Sequence, residues 1–325
     1  MGGENCALPD GKQDSTLYSA RELSELFFGT ITDGVFIVIK DIRAYFDASG
    51  KEDTSVLTVG GYVTQSHVAA QIENDWNAVL LEFGFQDAEG NPGVFHLNEL
   101  GNKKCKFGSG EWDISKRVAF LKKLSGVVNR DMNHIFSVSI ETAQYAAYLE
   151  QSDYRALYGP SYFTGAALHM FGLIEHKLQE RGIIDFPIAY IFEKGDREHE
   201  MHMCFNWHEK ANPVLKDKRT ITFQPKATTL LRPTDLIAGK VQEVLTRAHG
   251  ALKTLDNGMK LTGVHTFEKY FSYDGTTSAI LDSKNRHMLL VANKKIFHDV
   301  DAGWRAQGIP PGDPNPWRWN PGTSS

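Results

Sequence analysis

The sequence predicts an α/β protein, on three observations. Short β-prone runs and amphipathic helical stretches follow one another in the order strand, strand, helices, strand, helices, strand, short strand, helix. Acids stand at the ends of the first and later strands and at the start of the last helix. The 325 residues, 41% hydrophobic and 11% aromatic, are enough chain for one large or two modest domains around a proper core.

The organising stretch is Ile42-Arg43-Ala44-Tyr45-Phe46-Asp47-Ala48-Ser49-Gly50, a β-prone run that stops on a carboxylate and a small-residue turn. Period-two alternation puts Ile42, Ala44 and Phe46 on one face and Arg43, Tyr45 and Asp47 on the other. Taken alone, Asp47 reads as a residue that opens a turn, as Asp often does. Glu193 and Asp235 occupy comparable strand-end and helix-start positions far downstream, which makes a shared site worth weighing.

Residues 1–34 form an N-terminal lead-in. Residues 1–18 are polar and loosely attached, 20–28 a short helix, and 35–39 are β-prone and feed the first strand. Residues 56–63 read as a second strand, and Ser66 precedes a helical pattern through Phe83 with Val68, Ile72, Trp76, Val79 and Leu80 inward. Phe95-His96-Leu97-Asn98-Glu99 leads into a loop with Lys103, Lys104 and Lys106, which is either part of a site or a solvated surface loop. Residues 114–128 read as a helix, 135–141 as a strand ending on Glu141, and 161–181 as a long helix stopped by Gly182. Residues 187–193 look like the most buried strand, and 220–223 a short one. Pro233 opens a helix through Arg247 with Leu236, Ile237, Val241, Val244 and Leu245 as its apolar stripe. The main domain therefore covers 35–250. Residues 251–325 are a C-terminal extension with a candidate strand at 287–292 and a Pro-rich tail around Trp317 and Trp319.

Composition narrows the function classes. A net charge of -5 argues against coating nucleic acid with the whole surface but allows a local basic channel. The longest apolar run, 34–42, is broken by Lys40 and Asp41, so no membrane partner is expected. The first residues lack a secretion-signal layout, and Cys6 stands where a myristoylation site would carry Ser or Thr. Cys6, Cys105 and Cys204 are widely spaced, in keeping with reduced thiols in a cytoplasmic protein. The oligomeric state is left open, a homo-oligomer included.

If Asp47, Glu193 and Asp235 converge, at least one must hold a proton unless a cation neutralises them. Mg²⁺ or Mn²⁺ suits hard oxygen donors, and a pair of such ions can activate water and stabilise a departing oxygen without a protein nucleophile. A rival zinc reading uses His199, His202, Cys204 and His208. On a helix, Cys204 and His208 share a face, as do His199 and His202, but the four do not converge.

Asp47-Ala48-Ser49-Gly50 resembles the Asp-Glu-Ser-Gly strand end of the domain-of-unknown-function 3800 family. Ile191-Phe192-Glu193-Lys194-Gly195-Asp196 is similar to that family's central strand, and Pro233-Thr234-Asp235-Leu236-Ile237-Ala238-Gly239 to its closing element. Phe95-His96-Leu97-Asn98-Glu99 is similar to a fourth block. The resemblance spans roughly residues 42–247. It implies a ribonuclease-H-like mixed β-sheet flanked by helices and a metal-dependent nuclease acting on DNA or RNA. On it, Asp47, Glu193 and Asp235 are metal ligands for Mg²⁺ or Mn²⁺, with Glu99 the fourth and Asp196 in reserve. His96 donates a proton or orients an acid. Lys194, Lys226 and Arg232 contact phosphate or are merely solvated. Ser49 satisfies turn backbone. Ala48 replaces the family's second acid and Thr234 its Ala, which leaves a non-catalytic nucleic-acid- or protein-binding module on the same fold as the alternative.

Overall fold

The computed structural model describes residues 18–19, 36–37, 42–50, 54–101, 107, 110–132, 134–159, 161–180, 185–195, 197–211, 215, 217–225, 228–247, 260–262, 287–292, 294–306 and 308. Among these, the strands of the main sheet are β1 (Ile42–Ser49), β2 (Val56–Gln65), β3 (His134–Glu141), β4 (Ile188–Glu193), β5 (Arg219–Gln224), β6 (Lys260–Thr262) and β7 (His287–Ala292). Their order across the sheet is β5-β4-β1-β2-β3-β7-β6. The β1-β2, β2-β3 and β6-β7 pairs are antiparallel, whereas β4 runs parallel to β1, β5 to β4 and β7 to β3. The molecule is therefore an α/β protein, as its sequence order predicts, and its sheet is mixed.

Helices cover both faces of that sheet. On one lie α1 (Ser66–Glu82), α2 (Leu97–Gly101), α3 (Ile114–Asp131) and α7 (Arg232–Arg247). On the other lie α4 (Thr142–Leu149), α5 (Tyr162–Glu180), α6 (Glu198–Ala211) and α8 (Lys294–Ala306). Each face has its own apolar core. Phe46, Val138, Phe171, Tyr190, Phe205 and Phe297 belong to the α5 side, and Tyr45, Tyr62, Trp76, Phe120, Ile191 and Ile237 to the α7 side. Being sandwiched, β2 is buried along its whole length, which is why its sequence is apolar rather than alternating. No helix among the described residues is long and apolar enough to cross a membrane.

Local chemistry sets the boundaries. Asp113 caps α3 by accepting the Lys116 N–H at 2.7 Å. Ser161 does the same for α5 through the Thr164 N–H. Ser66, expected ahead of its helix, is its first residue, and the N-cap is Gln65. Helices α4, of 8 residues, and α8, of 13, were not expected, whereas α6 forms where the sequence around Met201, Phe205 and Trp207 reads as a packed helix with exposed histidines. The segment expected as a C-terminal extension contributes β7 to the sheet beside β3 and α8 to the α5-side core. The 20–28 helix, Cys6, Cys105, the lysines 103, 104 and 106, Gly182 and the Pro/Trp tail lie outside the described residues.

Candidate active site at the ends of β1 and β4

The parallel strands β1 and β4 are paired from Ile42 with Ile188 to Phe46 with Phe192. Continuing that register by one residue sets Asp47 beside Glu193. By alternation these acids follow Tyr45 and Ile191, both of which pack in the core that Leu236 and Ile237 of α7 enter. Asp235 lies in the first turn of that helix, where the helix dipole favours a carboxylate. All three acids are half-buried. Asp47 Oδ1 accepts the Ala48 N–H at 2.7 Å, the turn-opening bond expected of it, and Gly50 completes the turn at φ 92°.

The position of α7 follows from small residues and three donors. A Cβ on Gly60, the cross-strand partner of Asp47, would stand 2.9 Å from Ala238 Cα, so the helix backbone lies directly on β2. Tyr62 Oη donates to the Leu230 carbonyl at 2.7 Å, just ahead of α7. Thr234 Oγ1 donates to the Leu231 carbonyl, and Arg232 Nη1 to the Gly93 carbonyl at 3.0 Å. Arg232, expected to contact phosphate or to be solvated, is instead buried and bonded within the protein. It is 7% exposed, and burial pulls its pKa down against the opposing pull of Glu73, so its guanidinium serves to tie the 93–97 segment to α7.

That tie explains where the fourth block falls. Asp235 Oδ2 accepts the Leu97 N–H at 2.8 Å and lies 3.7 Å from His96 Nδ1. His96 therefore stands where it can orient an acid. Glu99, half-buried, sits two residues beyond Leu97 in α2. Leu97 reaches Gly239, whose added Cβ would stand 2.5 Å from Leu97 Cδ2 and 3.8 Å from Ser49 Oγ. The end of β1, the start of α7 and α2 thus meet at one place.

The donors fit a hard divalent cation in kind, since they are carboxylate oxygens at adjacent strand ends. They do not form a closed ligand set. Among the described residues no three His, Cys, Asp or Glu side chains lie close enough to share an ion, and Asp235 is engaged with Leu97 and His96. Lys194 is exposed beside Glu193, whereas Asp196 and Lys226 lie outside the described residues. The zinc reading finds its residues divided. His199 and His202 are exposed, and His202 packs on Phe223. Cys204 and His208 are buried in the α5-side layer, where Cys204 Sγ donates to the Thr164 carbonyl.

Beyond the strand ends lies a cavity of about 320 Å³ that Asp47 and Glu193 line from one wall, with Phe163, Phe223, Lys194 and Arg197 around it. It sits where the connection from β1 leaves toward β2 and that from β4 leaves through α6 toward β5, the crevice in which open α/β sheets bind ligands. Phe163, Phe223 and Arg197 carry no motif in the sequence. Only the placement of their elements after a parallel strand end could have pointed to them. Compared with protein-family models, curated proteins and solved structures, the chain matches none.

Proposed function

We propose that the protein is a metal-dependent nuclease hydrolysing phosphodiesters, on a ribonuclease-H-like sheet of the kind found in the domain-of-unknown-function 3800 family. The observation that carries this reading is the meeting of Asp47 and Glu193 at adjacent parallel strand ends, on the face where α7 presents Asp235. A mixed sheet with helices on both faces supports the fold assignment. In this reading Asp47 and Glu193 would hold Mg²⁺ or Mn²⁺, and Asp235, with Glu99 close by on α2, would have to move toward them to join, because no three such side chains among the described residues lie close enough to share an ion. With such an ion in place, the site would gain an activated water and charge for the leaving oxygen. His96 Nδ1 orients Asp235, and exposed Lys194 attracts the phosphate backbone.

The test is cleavage of single- and double-stranded DNA and RNA with Mg²⁺, Mn²⁺ or EDTA. Cleavage should depend on the cation and fall to background in Asp47→Asn and Asp235→Asn. Activity that survives either substitution rejects the assignment. A binding module on the same fold is the second reading, favoured by Ala48 in place of a second acid and by the engagement of Asp235 with the Leu97 N–H. It predicts nucleic-acid or protein binding without turnover.

A further inference from the structure

We infer that the cavity beyond β1 and β4 receives the unstacked base of a single-stranded nucleic acid next to the scissile phosphate. This inference rests on the nuclease reading and specifies its substrate class. At about 320 Å³ the cavity is near the lower end of the roughly 300–1,000 Å³ typical of ligand pockets, room for a group the size of one nucleotide rather than a base pair. Its walls have the chemistry of a stacking platform. Phe163 at the start of α5 and Phe223 on edge strand β5 are both half-buried, Phe223 with the His202 ring 5.0 Å from its own, and Phe192 and Met201 line the same cavity. The Arg197 guanidinium lies 5.6 Å from the Phe163 ring centre. Arginine planes and aromatic rings are the surfaces on which unpaired bases stack.

Charge is arranged to match. Lys194 and Arg197 line the same opening and suit the phosphates flanking such a base, while Asp47, Glu193 and Glu198 line it as acids, the first two at the strand ends that separate this α5-side cavity from the α7 face. In a duplex the bases are stacked on one another and cannot offer a ring face to Phe163 or Phe223. The expected preference is therefore for single strands, without strong dependence on sequence.

Binding is measured in EDTA by fluorescence anisotropy, with labelled oligouridylate, labelled oligothymidylate and a duplex of equal length as probes. Single strands should bind at least about tenfold more tightly than duplex. Phe163→Ala and Phe223→Ala should each weaken single-strand binding by about tenfold, with Phe223→Tyr restoring it. Lys194→Gln should lower the salt slope by about one. Thermal midpoints control for folding, and Phe223, on an edge strand, carries the test if Phe163→Ala does not fold. Unchanged affinity in folded Phe→Ala variants, tighter binding of duplex, or a free uridine monophosphate competing as well as the strand would overturn the inference. Since no hydrolysis is needed, ring-dependent binding without cleavage rejects only the nuclease reading. Cleavage with binding indifferent to both rings rejects only this one.

Discussion

Two buried histidines govern how the fold responds to acid. Burial pushes the pKa of His169 and of His208 down to about 4 from 6.5; for His208 the nearby Glu175 opposes the shift and Arg219 adds to it. Between those values the unfolded chain binds a proton at each site that the native chain does not. Their contribution is present above pH 6.5 and lost as pH falls toward 4, on the order of 3 kcal/mol per histidine at the limit. Urea midpoints across this range should fall less steeply for His169→Phe than for the native sequence, and parallel profiles would refute the shift. A second buried arrangement anchors β5. Arg219 Nε and Nη2 donate to the two Glu175 oxygens at 2.6 and 2.7 Å, and Tyr190 Oη donates to Oε1 at 2.6 Å. Glu175→Ala leaves an uncompensated charge and should cost about 3–5 kcal/mol in urea unfolding. Pairing Glu175→Leu with Arg219→Met should recover most of it, since an apolar pair avoids the desolvation penalty. Neither partner could be matched from sequence, because they lie 44 residues apart on different elements. Arg232 shows the same limit from the other side: beside Asp235 in sequence it looks like a phosphate contact, but its buried side chain donates to Gly93.

At the level of elements, the close approach of α7 to β2 decides where Asp235 stands. Gly60→Ala would drive a methyl into the Ala238 backbone and should cost about 1–3 kcal/mol by overpacking. If the site is as proposed, cleavage should fall further than this loss of stability explains, because α7 carries one of the acids. Retained stability with full cleavage would show that the helix can shift without consequence. Tyr62→Phe removes the donor to Leu230 and should cost about 1 kcal/mol, read as a lowered thermal midpoint. Strand β1 and helices α1, α3, α5 and α7 were legible because their apolar residues repeat at a period of two or near three and a half, and β2 and β4 because they are short apolar runs, whereas β6 carries no such signal. Helix α6 was legible as a helix packing through Met201 and Phe205, but the burial of Cys204 and His208 beside exposed His199 and His202 depends on which neighbours cover it.

For the whole molecule, residues 287–292 and 294–306 are part of the body rather than an appendage. β7 pairs with β3 from His287 to Ala292, and Phe297 of α8 enters the core among Tyr145, Tyr148 and Tyr158. Asp301 of α8 accepts hydroxyl bonds from Tyr148, from Ser152 at 2.6 Å and from Tyr158 at 2.9 Å, fastening that helix to the segment after β3. A chain ended after residue 286 would expose an unpaired edge at β3 and an aromatic cavity, and should aggregate rather than unfold cooperatively. A soluble truncated chain with a single sharp thermal transition would refute this. By itself the sequence determined the α/β alternation, the extent of most strands and helices, and three acids at strand-end and helix-start positions, because each of these is written in the spacing of neighbouring residues. Tertiary structure alone decided that Asp47 lies beside Glu193, that Asp235 holds the Leu97 N–H, that Arg232 is buried and that a ring-lined cavity adjoins the acids. Those facts depend on which distant segments the sheet order brings together, and a linear pattern does not encode that order.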